Sequence, residues 1–217
     1  MSQENLSFDD ILARLRDFGA ATVYEAQGAF GALDGGIKPL DAASRIAGPA
    51  FTVDARPADN LVLHLAVQKA RPGDVLVVDA KGCLEAGPWG DILTLQAQHK
   101  GIAALVIDGC VRDAAAIVAS GFPVFCRGLS IKGTGKNQPG RLGMPLSLGG
   151  AVVRPGDIVV GDRDGLVIVP REQAASAVEK SQAREQKEQA QREAILRGTS
   201  TVELLGLQTA LDRLGMA

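Results

Sequence analysis

The sequence predicts an α/β fold: one domain over residues 1–170, built on a mostly parallel and buried sheet, followed by a helical extension over 171–217. Three observations lead there. The runs "DVLVVDA" (74–80) and "IAALVIDG" (102–109) are short, apolar and rich in branched residues, as strands covered on both faces are. Between them "GDILTLQAQHKG" (90–101) has helical spacing and closes on Gly101, which makes it a crossover joining a parallel pair. After Pro170, "REQAASAVEKSQAREQKEQAQREAILRG" consists almost wholly of good helix formers with few large apolar residues, so this helix is solvated or crosses to another subunit.

The other elements follow in order. Ser7 with Asp10 reads as the N-cap and acidic first turn of a helix that carries Phe8, Ile11, Leu12, Leu15 and Phe18 on one face and ends near Gly19. "ATVYEAQGAFGAL" is a second short helix, broken by Gly28 and Gly31. "GPAFTVDARP" alternates as a strand does, and "NLVLHLAVQKARPGD" is a helix that stops before Pro72. "AAAIVASG" and "FPVFCRG" supply a further helix and strand. From Ile131 to Leu148 glycine, proline, lysine and asparagine predict a long loop. "PGDVLVVDAKG" (72–82) is echoed by "PGDIVVGDRDG" (155–165), a strand-and-turn solution used twice in one domain. "GLVIVP" closes the core, and "TVELLGLQTALDRLG" regains apolar spacing and is expected to dock as a short helix.

Composition narrows the function. Across 217 residues the formal charge is −2 with both signs scattered, so the chain has no electrostatic footprint for a nucleic acid. It shows no leader-like start and no apolar run near the roughly 18 residues that cross a bilayer. A soluble, cytoplasmic protein without nucleic-acid or membrane partners is therefore expected. Cys83, Cys110 and Cys126 are odd in number and lack Cys-x-x-Cys spacing, which fits small apolar fillers, with Cys110 alone set among charged residues.

Few residues can do chemistry. His64 lies among leucines of a helix and His99 at a helix end, and no Gly-x-Ser-x-Gly motif accompanies them. The glycine-rich "KGCLEAGPWGD" joins a strand to a helix, where backbone N–H groups hold anions. It lacks both nucleotide-binding glycine patterns, so it either holds a carboxylate or simply shapes a turn with Asp91 as a helix cap. Lys81 in this stretch is read as a solvated loop residue rather than a Schiff-base lysine. In "VIDGCVRDAA" (106–115) an apolar strand runs into Asp108, Arg112 and Asp113. Asp91 and the Arg112-Asp113 pair both fall at the C-terminal ends of adjacent parallel strands, where open α/β sheets place ligands. Two carboxylates of this kind suit Mg²⁺ or Mn²⁺, and equally a helix cap with a surface ion pair.

"GDVLVVDA", "WGDILTLQAQHKGIAALVIDGCVRD" and "PGDIVVGDRDGLVIVP" resemble the family that contains 4-hydroxy-4-methyl-2-oxoglutarate/4-carboxy-4-hydroxy-2-oxoadipate aldolases and the RraA-type regulators of ribonuclease E. The resemblance runs from "TVYEAQG" through "REQKE", and its most specific part is Asp91, twenty residues, then Arg112-Asp113. The aldolases carry the acid at the position of Asp91 and the regulators typically lack it. Ala116 likewise stands where many regulators have an acidic residue. The chain thus resembles the aldolase branch, with a non-catalytic regulator that binds a ribonuclease or another protein as the alternative. The resemblance implies a layered α/β sandwich assembled as trimers or hexamers, with active sites between subunits. It further implies that Asp113 binds the divalent cation directly, that Asp91 and Glu188 act on it through water, and that Glu188 reaches a neighbouring subunit. Arg112 would contact the 2-oxo oxygen of the substrate. Backbone amides near Trp89, Gly90, Ile92 and Leu93 would hold its carboxylate, while Glu25 and His64 line the pocket. The implied reaction is a retro-aldol cleavage of a small 2-oxo acid that releases pyruvate, with oxaloacetate decarboxylation at the same site.

Overall fold

A computed structural model describes residues 6–216, so the ends of the two predicted segments, residues 1–5 and Ala217, lie outside the described residues. Two helices come first, α1 (Phe8–Phe18) and α2 (Ala20–Ala26). Next are β1 (Lys38–Pro39), β2 (Ile46–Asp54), α3 (Leu61–Lys69), β3 (Val75–Cys83), α4 (Asp91–His99), β4 (Ala104–Val111), α5 (Ala114–Ser120) and β5 (Val124–Cys126). The short strands β6 (Gly128–Leu129), β7 (Arg141–Leu142), β8 (Leu146–Leu148) and β9 (Ala151–Val153) lead to β10 (Ile158–Gly161) and β11 (Leu166–Val169). The helices α6 (Ala174–Leu196), α7 (Thr201–Leu204) and α8 (Gln208–Arg213) finish the chain.

The main sheet runs in the order β1-β5-β4-β3-β2-β10-β11. Its centre, β2 through β5, is parallel, while β1, β10 and β11 add antiparallel edges. Alternation along the strands explains the layers. Leu76, Val78, Leu105 and Ile107 meet Leu63, Val67, Leu93, Ala97 and Ile117 from α3, α4 and α5 on one face. Val75, Val77, Ala104 and Val106 point the other way, into a second cluster with Leu146, Leu148 and Val153. Leu146 and Leu148 correct the expectation of a long loop over 131–148, since they form the first strand of a hairpin. The β8–β9 hairpin is built there because the second face of the central strands needs an apolar cover. The predicted strand at 122–128 also divides into β5 and β6.

The echoed stretches share one turn. In both Arg71-Pro72-Gly73-Asp74 and Arg154-Pro155-Gly156-Asp157 the glycine has positive φ (87° and 86°), as the third position of a type II turn requires. The aspartate carboxylate accepts the arginine N–H at 2.7 Å in the first and 2.8 Å in the second. One turn starts a parallel central strand and the other an antiparallel one, so the repeat is local.

At the N-terminus Ser7 forms the capping box with Asp10. Helix α6 sends Ala174, Ala177 and Val178 into a third cluster with Leu15, Val23, Ile158 and Val160. Beyond Ser181 none of its residues is buried. "TVELLGLQTALDRLG" forms two short helices in place of the one expected, and α7 and α8 contain no buried residue within this chain. Four- and six-residue helices turn too few apolar side chains to one side to cover a face. Among the described residues no helix is long and apolar enough to cross a membrane.

Ile107 is wholly buried at the centre of β4. Ile107→Ala is expected to lower unfolding free energy by about 2–5 kcal/mol, read from urea denaturation midpoints at unchanged slope.

Candidate active site

The parallel register of β3 and β4 brings the segments beyond their C-terminal ends side by side. Cys83 of β3 lies across from Gly109 of β4; the chain after β3 runs through Gly87 to Gly90 and starts α4, while β4 runs on into Arg112 and Asp113. The Arg112 N–H donates to the Trp89 carbonyl at 2.9 Å, which ties the two segments together. Asp113 takes the left-handed conformation (φ 57°, ψ 35°), which few side chains tolerate and aspartate tolerates best with asparagine. It holds the N-cap position of α5, yet its side chain makes no capping bond. Instead the Asp113 carboxylate accepts the Asp91 N–H at 3.3 Å and lies 3.4 Å from Arg112 Nε.

Gly90 makes this possible. A Cβ at position 90 would lie 2.4 Å from Asp113 Oδ2 and 3.2 Å from both Cγ and Nε of Arg112. Gly90 is also the N-cap of α4, which places Asp91 as the first helical residue and not as the cap. The Asp91 carboxylate accepts the Ile92 N–H at 2.8 Å. Leu93 falls in the same first turn, where backbone N–H groups lack helical acceptors. Trp89 and Leu93 are buried and Ile92 is exposed, so Trp89 and Leu93 have only backbone to offer a ligand. A cavity of about 380 Å³ opens beside the pair, lined by Arg112, Asp113, Ala114, Leu129, Ser130 and Ile131. Leu129 to Ile131 escape a reading by residue type because they carry no distinctive chemistry. Their only signal is position, directly after the next parallel strand.

The charged run in "VIDGCVRDAA" splits in two. Asp108 is buried and bound to Arg127, which also reaches Asp34 at 3.0 Å, so Asp108 belongs to an internal ion-pair network. Lys81 is no free loop residue either: it lies within β3 with φ 61°, its Nζ 2.6 Å from Asp54 and 2.5 Å from Asp79. Burial raises the pKa of Cys110, and that of Cys126 to about 11, so both are neutral thiols in the apolar interior.

Glu25, Glu188 and His64 sit elsewhere in the single chain. Arg184 of α6 bridges Glu25 at 2.8 Å and Glu188 at 2.9 Å, and Arg192 lies 3.2 Å from the other Glu188 oxygen. Among the described residues neither glutamate bonds to Asp91, Arg112 or Asp113. His64 lines a separate cavity of about 600 Å³ with Leu61, Leu65, Gln68, Gln96 and Gln138. Burial, helped by the charge of Lys136, holds its pKa below the usual histidine value.

A family described as RraA-like, Aldolase/RraA, matches residues 20–168. The chain belongs to this family. A relative from Halalkalibacterium halodurans named "Putative 4-hydroxy-4-methyl-2-oxoglutarate aldolase" is 36% identical over 195 residues, covering 90% of this chain and 91% of that one. The solved structure of Streptomyces coelicolor RraAS2, described as an unusual member of the RNase ES inhibitor RraA family, superposes with a TM-score of 0.76 at 30% identity. That alignment covers 85% of this chain and 98% of that one. The RNA-processing inhibitor RraA from Thermus thermophilis gives 0.65 at 27% identity, over 70% of this chain and 92% of that one. The RraA-like fold is thus common to proteins named for two different activities, and the residues at the cavity have to separate them.

Among the described residues no three His, Cys, Asp or Glu side chains converge on a common point. Asp91 at the start of α4 and Asp113 at the start of α5 supply a set of two carboxylates, joined by the Asp91 N–H that Asp113 accepts, and the missing Gly90 side chain leaves the Asp113 oxygen uncovered. Such a set fits a hard, largely hydrated cation and not a closed tetrahedral site.

The loop bordering the separate His64 cavity is pinned by buried Asp59, whose carboxylate accepts N–H groups from Leu61 at 3.0 Å, Asn137 at 2.8 Å and Gln138 at 3.2 Å. Burial alone would raise the Asp59 pKa, but those bonds and the Lys136 charge outweigh it and hold it below the usual carboxylate range. A group depressed in this way stabilises the fold above its unfolded pKa and withdraws that stabilisation as pH falls through the folded value. Asp59→Asn is expected to be less stable than wild type at neutral pH, and the gap should close as pH drops below about 4. Denaturation midpoints across pH measure this.

Proposed function

We propose that the chain is a divalent-metal-dependent pyruvate aldolase. It cleaves 4-hydroxy-2-oxo acids that carry two or three carboxylates, such as 4-hydroxy-4-methyl-2-oxoglutarate or 4-carboxy-4-hydroxy-2-oxoadipate, to pyruvate and a second oxo acid. The observation that carries this reading is Asp113, which lines the cavity with Arg112 and accepts the Asp91 N–H. Two carboxylates and one guanidinium leave the site negative, so a di- or trianionic substrate enters only with a further positive charge. Mg²⁺ or Mn²⁺, held directly by Asp113 and through water by Asp91, would supply that charge and polarise the 2-oxo carbonyl as a Lewis acid.

The chain's own groups do the rest. Arg112 meets the 2-oxo oxygen and stabilises the negative charge that collects there. Backbone amides at Trp89, Gly90, Ile92 and Leu93 take the adjacent carboxylate, the Ile92 N–H leaving Asp91 to do so. The proton of the C4 hydroxyl passes to a water held by Asp91, or by Glu188 from a neighbouring copy of the chain. As the C4 oxygen forms its carbonyl, the electron pair of the C3–C4 bond moves into the enolate of pyruvate, and protonation at C3 completes the product. Loss of carbon dioxide from oxaloacetate leaves the same enolate, so decarboxylation is a side activity. Glu25, His64 and Glu188 complete the pocket in a trimer or hexamer whose sites lie between subunits, with residues 171–217 packed at that interface.

The likeness to the two RraA structures supports a second reading, a non-catalytic module that binds a ribonuclease or another protein. That activity would survive Asp91→Ala and EDTA. A coupled pyruvate assay with both hydroxy-oxo acids and oxaloacetate tests the first reading. Pyruvate should form with Mg²⁺ or Mn²⁺, stop with EDTA and return on readdition. Arg112→Ala should lower kcat about 100- to 1,000-fold. Asp113→Ala should abolish turnover, and Gly90→Ala should reduce it at least about tenfold by displacing the carboxylate. No pyruvate from any of the three substrates with metal present would sink the aldolase.

A further inference from the structure

The turn before α4 is held at three successive carbonyls, each from a different part of the fold. Asn60, the N-cap of α3, donates its Nδ2–H to the Pro88 carbonyl at 3.0 Å. The Arg112 N–H takes the Trp89 carbonyl. Thr94, 1% exposed, donates its hydroxyl to the Gly90 carbonyl at 2.9 Å and accepts the Trp89 indole N–H at 2.8 Å. Trp89 is itself wholly buried and stacked on Phe122, with ring centroids 6.3 Å apart. A hydroxyl has one proton to give, and the indole bond to its oxygen leaves that proton aimed at Gly90.

We propose that Thr94 and Asn60 are positioning residues that clasp the 88–90 turn, so that Gly90 and the first turn of α4 are set against Asp113 before any ligand arrives. The proposal rests on the reading of the site given above. Neither residue touches the cavity: they act through the backbone of Pro88 and Gly90. A drift of this turn by a fraction of an ångström would press Gly90 into Asp113, where a Cβ would already lie only 2.4 Å from the carboxylate, or lengthen the 3.3 Å bond from the Asp91 N–H to Asp113. Holding groups still in advance is what makes their electrostatics effective.

The test compares Thr94→Val, which keeps shape and removes the hydroxyl, with Thr94→Ser, which restores it. Binding of Mn²⁺ alone is followed by water proton relaxation, and amide hydrogen exchange is followed across 88–93. Thr94→Val should weaken Mn²⁺ binding about tenfold and speed exchange at 88–93 about tenfold, with other helices unchanged. Thr94→Ser should return both to within about twofold of wild type. Chain-single Trp89 adds a fluorescence readout, since acrylamide should quench it more readily in Thr94→Val. If Thr94→Val fails to fold, Asn60→Ala carries the test with the same two measurements. A variant that melts earlier but keeps wild-type Mn²⁺ affinity and wild-type exchange at 88–93 would overturn the clasp, as would a Thr94→Ser that behaves like Thr94→Val. Absence of pyruvate formation by wild type would sink the aldolase alone, because exchange at 88–93 still judges the clasp.

Discussion

Gly90 and Asp113 approach each other so closely that a methyl group on the glycine would overlap the carboxylate. That approach exists because β3 and β4 are parallel neighbours whose C-terminal ends are in register, and because both strands are apolar on both sides. The constraint works in both directions. The buried pair sets the distance between the two loops, and the loops can sit at that distance only with glycine at 90 and a left-handed aspartate at 113. A strained residue whose side chain does not cap its own helix is a mark of a carboxylate kept available for something else.

The acidic and basic residues at this end of the sheet divide by what they already satisfy. Asp54 and Asp79 share Lys81, and Asp34 and Asp108 share Arg127, so each of these carboxylates has an ionic partner. Arg112 and Asp113 touch each other only loosely and remain partly exposed beside a cavity. Charged groups that the fold has paired off serve stability or shape. Those left facing a cavity are where a ligand can act, and this separates the Arg112-Asp113 pair from an otherwise similar collection of side chains.

Much of this was legible in the sequence, and what was hidden has a common cause. The apolar runs at 74–80 and 102–109 announce doubly covered strands, and the crossover helix between them gives their direction. Ser7 with Asp10 announces a cap, and the repeated Pro-Gly-Asp announces a turn found twice in the structure. All of these depend on neighbours within a few residues. Lys81 and Asp108 were obscure because their partners, Asp54 and Arg127, lie 27 and 19 positions away along the chain. The β8–β9 hairpin hid inside a glycine-rich stretch because its reason for existing is an uncovered sheet face contributed by other segments. At the site, Asp91, Arg112 and Asp113 stood out through their charge and position. Gly90 gains its meaning only from a distance measured in space.

Helix α6 has a consequence of its own. Its 23 residues make a rod about 34 Å long, buried in the body of the molecule only over the first two turns or so and tied once more to α2 through Arg184 and Glu25. Beyond Arg184 the remainder is a cantilever of about 18 Å, and tilting its base by some 5° would swing the tip by about 1.6 Å. Small changes in the seat formed by α1 and α2 are therefore amplified at the far end. Substitutions at Ala177 or Val178, remote from every charged group discussed above, act as adjustments to the aim of that lever.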